Sequence, residues 1–317
     1  MTVHATSRVR LIALVVTVLG GFLIALQSRV NGELSHHSSA SIFPAWFTMT
    51  SGLVLLLVIL ALHRPSRAGL RTVRQAISSR TLPMYTLTGG IFGAIFLITQ
   101  SIAVPLIGVA VFSVGIVAGQ TSGSLVVDRI GISASGKRAI TGQRVAAAVL
   151  AVVAVAIGIS DRLGSASGAL GYAILAFLAG ALIAPQQAVN GRVAVVARSP
   201  FSAAFVNFIG GVVLLSVFIG LMLLTSHLSV TDPWGAPRWA YLGGVLGVTV
   251  IAAAAWAVPK LGVLVFSLAS VFGQLTGALV LDLVAPTPGT TVGWHLFVGV
   301  GLTFLAILVA SSGARRS

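Results

Sequence analysis

The sequence predicts an all-α polytopic membrane protein, its ten transmembrane helices arranged as two inverted five-helix repeats. Three observations carry this. The 317-residue chain is 57% hydrophobic and 8% charged, with a mean hydropathy of +1.06. A soluble domain carries roughly 25% charged residues, so this chain cannot wet a globular surface of its size. Its apolar residues fall in runs of about 20, the length that crosses a bilayer core. The chain is also written twice, in a register that matches proline, glutamine and aspartate as well as aliphatic residues. Composition excludes a soluble enzyme, a secreted module and a disordered chain. With no cysteine, disulfides, thiolate metal sites and cysteine nucleophiles are excluded too.

The runs are 11–31, 43–62, 84–103, 106–127, 145–160, 168–190, 203–225, 239–258, 261–281 and 292–311. The first follows Arg8 and Arg10 but has no small-x-small cleavage site and recurs later, so it reads as a mature helix. The segment 63–82 after the second run sets arginines at amphipathic spacing and reads as lying on the membrane surface. Pro105 and Pro259 begin the fourth and ninth helices, where a missing N–H costs nothing. Gly115, Gly119 and Gly123 recur every four residues, a small face for close helix approach. Trp46 and Trp239 fall at run edges as interface anchors.

The formal charge of +14 suggests a nucleic-acid binder until the charges are placed. With ten spans, 16 of the 19 basic residues share the side of the N-terminus, and only Arg29, Arg162 and Arg238 lie opposite. This bias puts both termini in the cytoplasm and sets the basic loops against anionic head groups. Nucleic acid is not needed to explain them.

Gly89–Asp128 and Gly243–Asp282 align without a gap, 18 of 40 positions being identical. Gln27-Ser-Arg-Val-Asn31-Gly32 corresponds to Gln186-Gln-Ala-Val-Asn190-Gly191, and beyond them Phe47 and Gly52 pair with Phe205 and Gly210. The chain divides into a first repeat, 1–160, a linker, 161–167, and a second repeat, 168–317. Five helices per repeat is odd, so the second enters the membrane upside down, the plan of many secondary transporters.

The paired Q-x-x-V-N-G motifs, with A-V-P-x-x-G-V-x-V-F-S at Ala103–Ser113 and again at Ala257–Ser267, resemble the drug/metabolite transporter superfamily. Within it the chain is similar to the YdcZ-like bacterial inner-membrane proteins in fused, double-length form, over residues 11–311. The resemblance implies a non-enzymatic secondary carrier, an exporter of small organic solutes by alternating access. It implies a cavity lined by the first, third and fourth helices of each repeat. The expected partners are a small-molecule solute and membrane lipid, with no cofactor, in a monomer or homodimer. One departure is plain. Related small multidrug-resistance proteins place a coupling glutamate in the first helix, whereas here Glu33, Asp128, Asp161, Asp232 and Asp282 all read as helix ends or loops.

Uncharged polar side chains are therefore the candidates for recognition, since each needs a hydrogen-bond partner inside lipid. Gln27 with Asn31, and Gln186 with Asn190, share a helical face; Ser113 with Gln120 is echoed by Ser267 with Gln274. Two roles are open for each: lining a cavity, or holding helices together. Gln120 and Gln274 are expected to face one central cavity. Asn31-Gly32 and Asn190-Gly191 read as C-caps with left-handed glycine, or as gates. Asp128 and Asp282 read as interfacial residues, Asp128 beside Arg129, or as coupling sites, each serving one orientation. His36-His37 lacks metal-ligand spacing, and no phosphate loop, serine elbow or zinc-protease motif is present. The competing function classes are a non-transporting receptor or assembly subunit and, with less support, a membrane-embedded enzyme.

Overall fold

The structure, a computed structural model, describes residues 2–38, 40, 42–132, 137, 141–158, 168–225, 234–261, 263–285 and 293–313. Among them there is no strand. The helices are α1 (Thr2–His36), α2 (Ile42–Leu62), α3 (Arg64–Ser78), α4 (Gly89–Ile130), α5 (Gly142–Gly158), α6 (Ala169–Ala197), α7 (Pro200–Leu224), α8 (Gly243–Leu261), α9 (Val263–Val284) and α10 (Trp294–Gly313). Five stretches are long and apolar enough to cross a membrane: Arg8–His36, Ile42–Leu62, Met84–Val127, Ala169–Ala197 and Pro200–Leu224. Shorter apolar helical stretches occupy 145–154, 243–254, 269–284 and 297–306.

The third and fourth apolar runs are joined without a loop. Helix α4 breaks at Gly108, whose φ of 77° and ψ of 165° no other residue type adopts cheaply. The chain folds back there: the Phe96 and Phe112 rings lie 6.0 Å apart, whereas 16 residues of unbroken helix would span about 24 Å. Pro105 therefore ends the first arm instead of beginning the second, and Pro259 likewise lies inside α8. The motif glycines differ from their reading as caps as well. Helices α1 and α6 run on past Gly32 and Gly191, neither of which has a positive φ. Water does not compete for backbone groups inside a bilayer, so one glycine does not end a helix there. Gly32 instead lets Val104 approach to a distance where a Cβ would stand 2.7 Å from it. Arg198, in the left-handed conformation, caps the end of α6, and α7 begins two residues later at Pro200, with Ser199 accepting the Ser202 N–H.

Matching residues of the two sequence repeats make matching contacts with exchanged partners. A Cβ on Gly21 would strike the Ser270 carbonyl, and one on Gly180 the Ile116 carbonyl; Gly119 meets the Phe177 carbonyl as Gly273 meets that of Val18. Each first helix thus packs against the fourth helix of the other repeat, across a glycine face too close for any side chain. These contacts also correct the register of the second helices. Gly90 approaches Gly211 and Asn207, while Gly244 approaches Gly52 and Thr48. Gly52 therefore pairs with Gly211 and Thr48 with Asn207, one residue away from the pairing by Phe47 and Phe205.

The arginine-rich segment is a helix, α3, docked on the corner between α6 and α7. Ser66, Gly69 and Val73 are buried on its inner face. Ser202 Oγ donates to the Ser66 carbonyl at 2.7 Å, Ser66 Oγ lies 3.0 Å from Ser199 Oγ, and Gly69 sits against the Ala197 carbonyl. Val73 packs with Leu82, Val193, Ala197 and Ala203.

Candidate functional site

Of the candidate residues of the first repeat, Asn31 is held in a hydrogen-bonded chain across three helices. Thr48 Oγ1 on α2 donates to Asn31 Oδ1 at 2.7 Å, and Asn31 Nδ2 donates to Gln100 Oε1 at 2.6 Å. Gln100 Nε2, on the first arm of α4, then donates to Ser28 Oγ at 2.6 Å, which donates to the Ile24 carbonyl at 3.0 Å. All four side chains of this knot are buried, with Asn31, Gln100 and Ser28 fully inaccessible. One turn away, Gln27 Nε2 donates to the Gly243 carbonyl at the start of α8 at 3.0 Å. A Cβ on Gly243 would lie 2.6 Å from Asn31 Oδ1, so a side chain there would displace the knot.

The second repeat builds the same frame and closes it differently. Gln186 lies against Gly93 and Asn190 against Gly89, as Gln27 and Asn31 lie against Gly247 and Gly243. Thr48 is replaced by Asn207, which is 1% exposed and whose Oδ1 and Nδ2 both lack a hydrogen-bond partner. Gln100 is replaced by Ala254, so no amide reaches across. Gln187, in the place of Ser28, is instead exposed and accepts from Gln120 Nε2 at 3.3 Å. Gln120 is partly exposed, whereas Gln274 is 3% exposed with an unpartnered Nε2. Ser113 is fully buried and its hydroxyl also lacks a partner. The side chains of Ser267 and Asp128 lie outside the described residues. Gln100, Thr48 and Asn207 were not among the residues the sequence singled out.

Asp282 is neither at the surface nor in a loop. It lies inside α9, 2% exposed, and its carboxylate accepts from the Val109 N–H at 3.3 Å and the Ala110 N–H at 2.8 Å. Those are the first amides after the break at Gly108, the unpaired donors and positive dipole end of the second arm. A carboxylate from another helix thus caps α4 at the fold-back. Asp282→Ala is expected to cost about 1–3 kcal/mol, leaving buried N–H groups unmatched. Asp282→Asn keeps one acceptor and should lose about half as much. Thermal unfolding in detergent measures both; unchanged melting in the alanine variant would exclude the cap as a structural element.

Elsewhere Phe112 is fully buried beside Phe96, a packing position. Trp46 Nε1 donates to Ser216 Oγ at 3.0 Å, and Trp239 is 42% exposed. Glu33 faces Arg29 at 3.6 Å and His37 at 3.8 Å within one helix. Among the described residues no group of three metal-ligating side chains occurs.

Long apolar helices, a loop-free fold-back and buried amide clusters define a helical membrane protein. A model of the family described as "Putative inner membrane exporter, YdcZ" matches residues 12–157 and again residues 171–309. The chain belongs to this family of inner-membrane transporters, in a form carrying the family unit twice. No curated protein matches it.

Proposed function

We propose that the chain is a secondary transporter that exports small organic solutes by alternating access. In this reading all ten apolar runs span the membrane as two five-helix halves inserted in opposite senses, with both termini cytoplasmic. The observation that carries it is the unequal closure of two equivalent sites. In oppositely inserted halves the Asn31 knot and the Asn190–Asn207 pair lie toward opposite faces of the membrane. One is tied by three side-chain hydrogen bonds, and the other has a buried amide with no partner. In this reading the difference supports one access state of a two-state carrier, shut at the outer end of α1. The exchanged glycine contacts supply seams along which the helices can shift.

Gln27, Asn31, Ser113, Gln120, Gln186, Asn190, Ser267 and Gln274 are the proposed lining, an uncharged set of donors and acceptors suited to a polar or amphipathic solute. A strongly cationic cargo would lack a countercharge among them. Reconstitution into liposomes with a panel of labelled metabolites and drugs tests the proposal; it requires counterflow of at least one solute, and no flux under any imposed gradient would overturn it. A reporter active only in the periplasm, fused after Ser317, is expected to stay silent. A signal there would overturn the topology while leaving transport open.

A further inference from the structure

The transport reading leaves the basic face of α3 unused. Arg64, Arg67, Arg71 and Arg74 recur at spacings of three and four, so they form one stripe opposite the buried Ser66, Gly69 and Val73. Arg71 and Arg74, with Gln75, Ser78 and Ser79, all exposed, line an open cleft of about 670 Å³. Among the described residues neither arginine has an ion pair or a side-chain hydrogen bond, while Arg67 is held by the Ala61 carbonyl at 3.0 Å. Glu33 is spent on Arg29 and His37, and Asp282 on the break in α4. Among the described residues two guanidinium groups are thus left in one cleft beside an amide and two hydroxyls, with no carboxylate paired to them.

We infer that this cleft binds the phosphate of an anionic phospholipid. Paired guanidinium forks match phosphate oxygens in geometry and charge, and Gln75 and Ser78 supply neutral donors around them, the Ser79 hydroxyl being engaged with the Ala76 carbonyl and Thr81. The source of the phosphate follows from position. Helix α3 starts two residues after Leu62, the exposed last residue of the apolar α2, and the chain re-enters apolar sequence at Met84, also exposed. The cleft therefore lies where α2 leaves the hydrocarbon, at head-group depth, and its lipid would bear on the α6–α7 corner through the docked face of α3.

The test is thermal unfolding of the purified full chain in detergent micelles. Phosphatidylglycerol, phosphatidylcholine of the same acyl chains, and inorganic phosphate are each added at equal concentration. Phosphatidylglycerol is expected to raise Tm by about 5 °C at saturation, with no shift from the other two. The Arg71→Gln/Arg74→Gln variant should lose most of that shift. Arg71→Lys/Arg74→Lys, which keeps the charge but not the fork, should retain about half, and Arg8→Gln/Arg10→Gln should retain all of it. A full shift in the double glutamine variant would overturn the site, and an equal shift from inorganic phosphate would overturn the lipid assignment. A double glutamine variant that does not fold leaves the lysine and Arg8/Arg10 variants to decide: equal shifts in both would overturn the site.

Discussion

Replacing Gly119 with alanine is expected to destabilise the protein by about 3 kcal/mol, and replacing it with valine to abolish folded protein. Overpacking a core costs typically 1–3 kcal/mol, because side chains can turn away. Here the obstacle is the Phe177 carbonyl oxygen, main chain in the middle of α6, which has no rotamer to escape into. Gly273 meets the Val18 carbonyl in the same way, so Gly273→Ala should cost a similar amount. Gly191 is the control. It lies inside α6 with nothing within 4 Å of an added Cβ and no positive φ, so Gly191→Ala should gain up to about 1 kcal/mol of helix propensity. Melting curves of the three variants in detergent separate a seam position from a merely permissive one. Equal melting of wild type and Gly119→Ala would mean that the helices do not approach as closely as the structure has them.

The class of fold was legible because hydropathy alone decides it: a chain with 8% charge has only the bilayer as a solvent. The repeat was legible because Pro, Gln and Asp recur in register. What escaped were features set by partners distant in sequence. Pro105 matches a helix start by local rules, yet the fold-back occurs three residues later, at Gly108, where a positive φ is needed. Asp282 marks the end of an apolar run and so reads as interfacial; its partners are backbone amides 172 and 173 residues away. Gln100 escaped for a different reason. Recurrence in both repeats marks a polar residue in the sequence, and Gln100 aligns with Ala254 while Thr48 aligns with Asn207. Any amide inside an apolar run, whether or not it recurs, is the signal that would have found it. The asymmetry that hid these residues is also what makes the two ends of the molecule unlike.

That asymmetry predicts the second large effect. Asn31→Leu keeps a similar volume but leaves a Thr48 donor and a Gln100 acceptor unmatched in a buried place, at about 1–3 kcal/mol for each. The thermal midpoint should fall by more than for any single change among Gln186, Asn190 and Asn207. On the proposed topology the same change should open the outer end of α1. The chain has no cysteine, so Gln27→Cys, one turn below Asn31 and 6% exposed in the parent residue, provides a single labelling site. In the Gln27→Cys background, labelling by a membrane-impermeant maleimide from the periplasmic side is expected to be slow. Adding Asn31→Leu or Gln100→Leu should speed it about tenfold or more, since each 1.4 kcal/mol removed from the closed state shifts the population tenfold. The converse change lies in the other repeat. Ala254→Gln places an amide at the counterpart of Gln100, within the frame that holds Asn190 and Asn207, and should tie that end as the first is tied. It is expected to raise the thermal midpoint and slow counterflow while leaving Gln27→Cys as protected as before. If Asn31→Leu lowers the midpoint but leaves labelling slow, the knot is structural glue and the gate lies elsewhere on the path. If labelling is fast without any change at Asn31, the outer end is open and the knot closes nothing.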